Sequence, residues 1–396
     1  MPPVGRRRDP RAGSPDAGTA LLISSDFPPV GGGQSRFLFD LWSCLPPEQV
    51  VVLAPALPGC QAVDASLPCR VVRVRVPGGE SWGARLRRSA RILMAALRAC
   101  RGEAVGSVHC GQVLSAGLAG LGCRLLHGTR YYPYVHGADL LEFRDRRPWG
   151  WLLRCVLLGA ERVIANSRFT AAVALSCGVP EERLLVINPG IDLERFSRPV
   201  DRQAVRRGRG WADRRVVLSV GRLVPRKGQD TLIRALPQVQ RAVPAVRYAI
   251  AGDGPEAAHL QVLACKLGVA EAVEFLGFVG EEELPSLHAA ADVFAMVSRH
   301  RREQGDVEGF GIVYLEANAA GTPVLAGRSG GVEDAVADGE SGLLVDPEDV
   351  GEVARALTRL LCDEDLRRRL GEQGRRRVHR HFDRREQACR LWEACR

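Results

Sequence analysis

Two successive trains of short β-branched apolar runs, each run separated from the next by a helical stretch, restrict this chain's fold more than any other feature. The first train opens with TALLISSDF (Thr19–Phe27), a Pro/Gly loop and a helical pattern from Gln34 to about Leu45. It continues at 50–55, 70–76, 131–137, 162–167 and 184–190. The second runs through VVLSVG (216–221), VRYAIAG (246–252), VEFLGF (273–278), DVFAMVS (292–298), PVLAG (323–327) and GLLVD (342–346). The last roughly fifty residues read as helical and Arg-rich. Strands that alternate with helices form parallel sheets covered on both faces. The fold class is therefore α/β, with two doubly wound sheets. The polar, basic stretch 198–215, RPVDRQAVRRGRGWADRR, reads as the linker between them. In such sheets ligands gather at the carboxyl ends of strands.

Composition narrows the class. Of 396 residues, 46% are hydrophobic and 26% charged, which excludes disordered, collagenous and disulfide-scaffold chains. No run approaches the ~18 apolar residues of a membrane span. Residues 1–18 carry basic side chains but no apolar stretch after them, so they read as a floppy leader and not a secretory signal. Net charge is +9, and Lys227 and Lys266 are the only lysines among 55 basic residues. A positive surplus suits nucleic acid, an anionic membrane or phosphorylated substrates. Zinc-finger spacing and a basic region feeding heptads are both missing and the arginines are scattered, so nucleic acid is not an expected partner. The twelve cysteines lack a C-x-x-C pair. Most sit in apolar context, as Cys155 and Cys265 do, and read as small buried hydrophobes in a reducing compartment.

Several loops that follow strand-like runs could carry chemistry. Asp26-Phe27-Pro28-Pro29-Val30-Gly31-Gly32-Gly33-Gln34 leads glycines into a helix, which suits either close backbone approach to an anion or a plain tight turn. Gly221-Arg222-Leu223-Val224-Pro225-Arg226-Lys227-Gly228 places two cations five apart before a helix starting near Gln229. That is the chemistry of a diphosphate site or of a solvated basic loop. Gly252-Asp253-Gly254-Pro255 brackets a carboxylate with glycines. The run Asp306-Val307-Glu308-Gly309-Phe310-Gly311-Ile312-Val313-Tyr314-Leu315-Glu316 sets two hydroxyl-accepting carboxylates around a helix start near Gly311. Capping accounts for one glutamate but not for both, nor for the two glycines. His136, with Gly137 and Asp139 after it, ends the run YYPYVHG. His127 precedes Gly128 after a helical run and reads as helix C-terminal chemistry.

In order and spacing these segments resemble the retaining glycosyltransferases of family 4, from about residue 19 to the C-terminus. Further matches are Phe275-Leu276-Gly277, Asp292–Met296, Gly327…Gly330-Gly331, Ala165-Asn166-Ser167 and Asn188-Pro189-Gly190-Ile191-Asp192. Within that family the wording around Glu308 and Lys227 is most similar to that of the phosphatidylinositol mannoside mannosyltransferases that use GDP-mannose. The resemblance implies the GT-B fold, two Rossmann-like domains facing a central cleft. It implies an acceptor-binding domain over 19–200, a nucleotide-sugar domain over 201–378, and a C-terminal helix over 379–396 that packs back on the first domain.

It also implies residue roles. Arg222 and Lys227 hold the donor diphosphate, Glu308 contacts the transferred sugar, Glu316 the ribose, and His136 lies at the reacting sugar. Gly32, Gly33, Gly252, Asp253, Phe278, Gly309, Phe310, Gly311 and Ile312 complete the donor site, and Gln34 and Asp139 meet the acceptor. Related enzymes often carry glutamate where Asp139 stands. No metal or other cofactor is implied, and no Asp-x-Asp pair stands at a strand end. The expected reaction moves a hexose, mannose from GDP-mannose before others, onto a lipid-linked or glycan acceptor. A UDP-sugar donor and a GT-B sugar-nucleotide epimerase are the alternatives. Residues 84–101, with Leu86, Ala90, Leu93 and Leu97 on one stripe beside Arg87, Arg88, Arg91 and Arg98, form a basic amphipathic pattern. It suits an anionic membrane surface or packing on the sheet, and Trp149 and Trp151 add interfacial aromatics. The expected location is cytoplasmic, peripheral at the inner face of the membrane.

Overall fold

The computed structural model describes residues 18–77, 82–102 and 105–396, with the side chains of Trp82, Ala84, Arg85, Leu86, Gly102 and Arg302 left aside. Most of the expected leader lies outside the described residues. The chain divides into two compact units, one comprising the described residues up to Gly190 with Arg384–Arg396, the other Ile191–Asp383.

The first unit holds a seven-stranded parallel sheet. Its strands are β1 (Thr19–Ile23), β2 (Val50–Pro55), β3 (Arg70–Val74), β4 (Val105–Cys110), β5 (Arg130–Val135), β6 (Val163–Ala165) and β7 (Leu184–Val186). The order is β3-β2-β1-β4-β5-β6-β7. The second unit holds β8 (Arg215–Val220), β9 (Val246–Ala251), β10 (Val273–Gly277), β11 (Val293–Met296), β12 (Val324–Gly327) and β13 (Gly342–Val345). They order as β10-β9-β8-β11-β12-β13, again all parallel. Both orders reverse beside the unit's first strand, between β1 and β4 and between β8 and β11. Loops leaving those strands diverge there and open a crevice for a ligand. Almost every residue of β1, β2, β8 and β11 is buried, as expected of parallel strands with helices on both faces.

β4 is the element that the hydrophobic pattern misses. Its sequence, VGSVHC, carries glycine, serine and histidine, yet it pairs with both β1 and β5. Ser107 and His109 are buried in it, and the Tyr134 hydroxyl lies 3.2 Å from His109 Nδ1.

The stretch 198–215 is not a linker. Arg202–Gly208 is a helix whose Asp201 cap accepts from the Ala204 amide. Arg202 and Arg206 reach Asp292 at 2.6 and 3.1 Å. Trp211 is fully buried, with its Nε1 donating to Glu274. Ion pairs and a single aromatic anchor seat this segment, so it lacks the apolar period by which helices are recognised.

At the other end, the helix Glu364–His381 stops at Phe382, and a separate helix, Arg384–Cys395, belongs to the first unit. There Arg384 pairs with Asp40 at 3.1 Å and the Tyr132 hydroxyl donates to the Cys395 carbonyl. The boundaries between units thus fall at 190 and 383, where the sequence reading has 200 and 378.

Candidate active site

In the second unit the site is built at the reversal between β8 and β11. β8 delivers Gly221 and Arg222, and a short 3-10 turn, Pro225–Lys227, brings the chain to Gly228. Gly228 has φ +72°, and a Cβ there would fall 2.1 Å from the Val297 carbonyl oxygen. Only glycine lets this loop lie against the end of β11. The helix Gln229–Ala242 then starts with no side-chain cap, which leaves first-turn amides for an incoming acceptor group.

Lys227 turns inward. Its Nζ donates to Glu308 Oε2 at 2.6 Å, and both residues are buried. Ser298, two residues after β11, donates to the same oxygen at 3.4 Å, and Arg226 Nε stands 3.9 Å from it. Burial by itself raises the Glu308 carboxyl. The Lys227 and Arg226 charges, with the hydrogen bonds from Lys227 and Ser298, outweigh it and hold the group below the usual carboxylate range. Glu308 is therefore an anion at neutral pH. Arg226 also pairs with Asp306 at 3.0 Å. Arg222 is exposed, and among the described residues its guanidinium has no ion-pair or hydrogen-bond partner.

Beyond Glu308, Gly309, Phe310 and Gly311 lead into the helix Ile312–Ala319, again with no side-chain cap. Gly311 has φ +92°, and a Cβ there would strike the Tyr314 ring at 2.3 Å. Tyr314 in turn donates to the Met296 carbonyl and contacts Ser298, tying this helix to β11. Glu316 is buried one turn further on, its Oε2 3.8 Å from His288 Nε2. Burial, together with the Arg195 charge, lowers His288 to about 3, so this ring is neutral. Gly252, at the end of β9, donates to the Gly277 carbonyl, and a Cβ on it would meet the Gly221 oxygen at 2.0 Å. Asp253 and Phe278 lie exposed at the ends of β9 and β10, Phe278 at 80%.

The first unit makes its own cluster at the ends of β1, β4 and β5. His136 is buried, and its ring Nε2 lies 3.1 Å from the Gly111 carbonyl. A carbonyl only accepts, so Nε2 carries the proton. Asp139 Oδ1 accepts from the His136 and Leu140 amides, both at 3.0 Å, while its Oδ2 is sealed from solvent with no hydrogen-bond partner. Burial raises Asp139 against the pull of His136. Asp26 is likewise raised by burial, opposed chiefly by His136. Gly32 (φ +127°) caps the helix Gly33–Trp42; it and Gly33 are exposed, with Gln34 half-buried in the first turn.

The structure thus joins Lys227 to Glu308 and sets Arg222 on the Lys227 loop, with Glu316 in the helix that follows Glu308. Sequence reasoning missed Arg226, Ser298 and His288 as contributors. Ser298 was recoverable from its place two residues after β11, at the end of the run 292–298. His288, which sits among apolar residues on another helix, carried no signal.

A family model described as "Glycosyl transferases group 1" matches residues 201–377, and one described as "Glycosyltransferase Family 4" matches 31–195. The chain is 38% identical, over 94% of its length and 97% of the relative's, to the GDP-mannose-dependent alpha-(1-6)-phosphatidylinositol monomannoside mannosyltransferase of Mycolicibacterium smegmatis. It is 36% identical to the protein of the same name in Mycobacterium tuberculosis, over 90% of this chain and 92% of that one. Among solved structures, Anabaena Alr3699/HepE in complex with UDP-glucose superposes with a TM-score of 0.79 at 23% identity, covering 95% of this chain and 99% of that one. With two parallel doubly wound sheets and relatives this similar over nearly the whole length, the chain is a GT-B glycosyltransferase and belongs to glycosyltransferase family 4.

Proposed function

We propose that this chain transfers mannose from GDP-mannose, with retention of anomeric configuration, to a phosphatidylinositol-mannoside-type lipid acceptor. The names of the mycobacterial relatives, whose similarity spans both units, support the donor and the acceptor class. The observation that carries the chemistry is the buried Lys227–Glu308 pair with Arg226 beside it, next to an uncapped helix end.

In this reading the glycosyl–phosphate bond breaks with negative charge growing on the departing diphosphate. Arg222, Lys227 and the amides at Gly228–Gln229 take up that charge, and fixed donors aimed at it lower the barrier electrostatically. Glu308, held ionised, accepts from hydroxyls of the sugar, and Glu316 from those of the ribose. Gly252, Asp253, Phe278 and Gly309–Ile312 shape the donor pocket. Gly32 and Gly33 offer backbone amides, His136 orients the reacting sugar, and Gln34 and Asp139 serve the acceptor side. None of these is an enzymic nucleophile. The acceptor hydroxyl attacks from the face the diphosphate leaves, and a donor phosphate oxygen takes its proton. We propose that the transfer needs no metal, as the resemblance to family 4 implies.

A lipid acceptor calls for contact with an anionic membrane, placed here at the cytoplasmic face. Among the described residues no helix is long and apolar enough to cross a membrane. The helix Trp82–Gly102 exposes Arg87, Arg91 and Arg98, and the helix Trp149–Gly159 exposes Trp151 at 67%. Such a surface binds anionic headgroups and seats aromatic rings at the interface. On the first helix the apolar stripe differs from the expected one. Ile92 and Ala96 are its most buried residues, Ala90 is exposed, and the Leu86 side chain lies outside those described.

The decisive experiment offers labelled GDP-mannose, UDP-glucose, UDP-GlcNAc and ADP-glucose with phosphatidylinositol mannoside in vesicles. Mannosylated lipid formed from GDP-mannose alone is the expected outcome. Transfer from a UDP-sugar, or free epimerised sugar without acceptor, overturns the proposal.

A further inference from the structure

Cys100 Sγ lies 3.3 Å from Cys123 Sγ, where the helix Trp82–Gly102 packs on the helix Ser115–His127. A disulfide bond is about 2.05 Å long, so the sulfurs need to approach by only about 1.3 Å. The two thiols differ in access and in acidity. Cys123 is fully buried, while Cys100 is half-buried. Hydrogen bonding from Cys123 above all, and from Thr129, lowers the Cys100 thiol against the opposing effect of burial. Cys123 is pushed up by the same contact and by its burial. A reactive thiolate beside a resolving thiol is the arrangement that favours reversible oxidation. A third thiol, Cys110 on β4, is fully buried and raised by burial, and its sulfur lies against Gly120.

We propose that Cys100 and Cys123 form a reversible two-electron redox site, at which a peroxide converts the thiol pair to a disulfide that staples the two helices. The Cys100 thiolate attacks one peroxide oxygen, the O–O bond breaks, and the hydroxide that leaves takes a proton from solvent to become water. The Cys100 sulfenic acid so formed is attacked by the Cys123 sulfur. Its S–O bond breaks, and the oxygen leaves as a second water with the Cys123 proton. Two thiols and one hydrogen peroxide thus give one disulfide and two waters. A dithiol reductant reverses the step by exchange. This site does not rest on the transferase reading, since neither cysteine belongs to the donor machinery.

The test treats the full-length folded chain with a small excess of hydrogen peroxide and reads intact mass, then maps a non-reduced digest. The expected result is a loss of about 2 Da, a Cys100–Cys123 cross-link, and its reversal by dithiothreitol. Cys123→Ser should leave Cys100 as a sulfenic acid trapped by dimedone. Cys100→Ser should leave Cys123 unmodified. Cys123→Ala, with circular dichroism matching the wild-type chain, serves if the serine variant folds poorly. A cross-link from Cys100 to Cys110, oxidation of Cys100 to sulfinic acid with no cross-link, or reaction confined to the exposed Cys265 and Cys362 would overturn the proposal.

Discussion

Lys227 and Glu308, 81 residues apart in sequence, meet through a 2.6 Å contact between Nζ and Oε2 inside the second unit. A nucleoside diphosphate that engages Lys227 has to draw it from this carboxylate, and a sugar hydroxyl has to satisfy the carboxylate in return. A donor carrying both groups makes the exchange; a diphosphate without sugar leaves the buried Glu308 with only the longer contacts to Ser298 and Arg226, a costly state. Replacing Glu308 with Gln should therefore tighten GDP binding about tenfold, or about 1.4 kcal/mol. The same change should lower transfer at least about a hundredfold, the scale set by losing one oriented polar contact in a transition state. Calorimetry with GDP and turnover with GDP-mannose read the two effects separately, and weaker GDP binding would contradict the exchange.

Two arginines that look alike in sequence should behave in opposite ways. Arg222 is exposed and unpaired among the described residues, so Arg222→Ala should leave the unfolding free energy within about 0.5 kcal/mol of wild type while transfer collapses. Arg206 holds the buried Asp292 with Arg202, and Asp292 also accepts from the Val216 amide at 2.7 Å. Losing one partner of such a carboxylate costs about 3 kcal/mol. Arg206→Ala should therefore unfold earlier in urea, with little change in activity per folded molecule.

Glycines at the two helix starts separate backbone strain from ligand approach. Gly228→Ala places a methyl 2.1 Å from the Val297 carbonyl at φ +72°. It should cost more than about 3 kcal/mol, beyond the range of ordinary substitutions. Around Gly33 a Cβ meets nothing within 4 Å and φ is not positive. Alanine there should hold or slightly raise the melting temperature, since it favours the helix by about 1 kcal/mol over glycine. A fall in transfer by Gly33→Ala without loss of stability would be the signature of close backbone approach to the donor.

Acid sensitivity follows from two buried histidines. Burial lowers His109 to about 3, and burial with Arg195 nearby lowers His288 to about 3. An unfolded histidine binds its proton near pH 6.5, so between about pH 6.5 and 3 the unfolded chain holds more protons. Stability contributed by these neutral rings is fully present above that window and falls as pH drops through it. The slope is about 1.4 kcal/mol per pH unit for each ring. Urea melts at pH 7 and pH 5 should show the decline, and His288→Gln should flatten it in the second unit. An unchanged slope would mean that His288 is protonated in the fold.

Local pattern in the sequence determined the alternation of strands and helices, hence two parallel doubly wound sheets, and it located the glycine-rich loops that leave β1, β8 and the Glu308 segment. These are short-range properties, set by side-chain period and by backbone freedom at single residues. The tertiary structure alone decided that VGSVHC is a central strand, because its pairing with β1 and β5 offsets its weak intrinsic preference. It alone anchored the basic stretch 198–215, through the helix Arg202–Gly208, on Asp292, and set Cys100 against Cys123. It also decided which of the loop cations is buried on a carboxylate and which stands exposed without a partner among the described residues. Ionisation and pairing depend on the sum of burial and charge from residues distant along the chain, a sum that exists only once the sheets have brought those residues together.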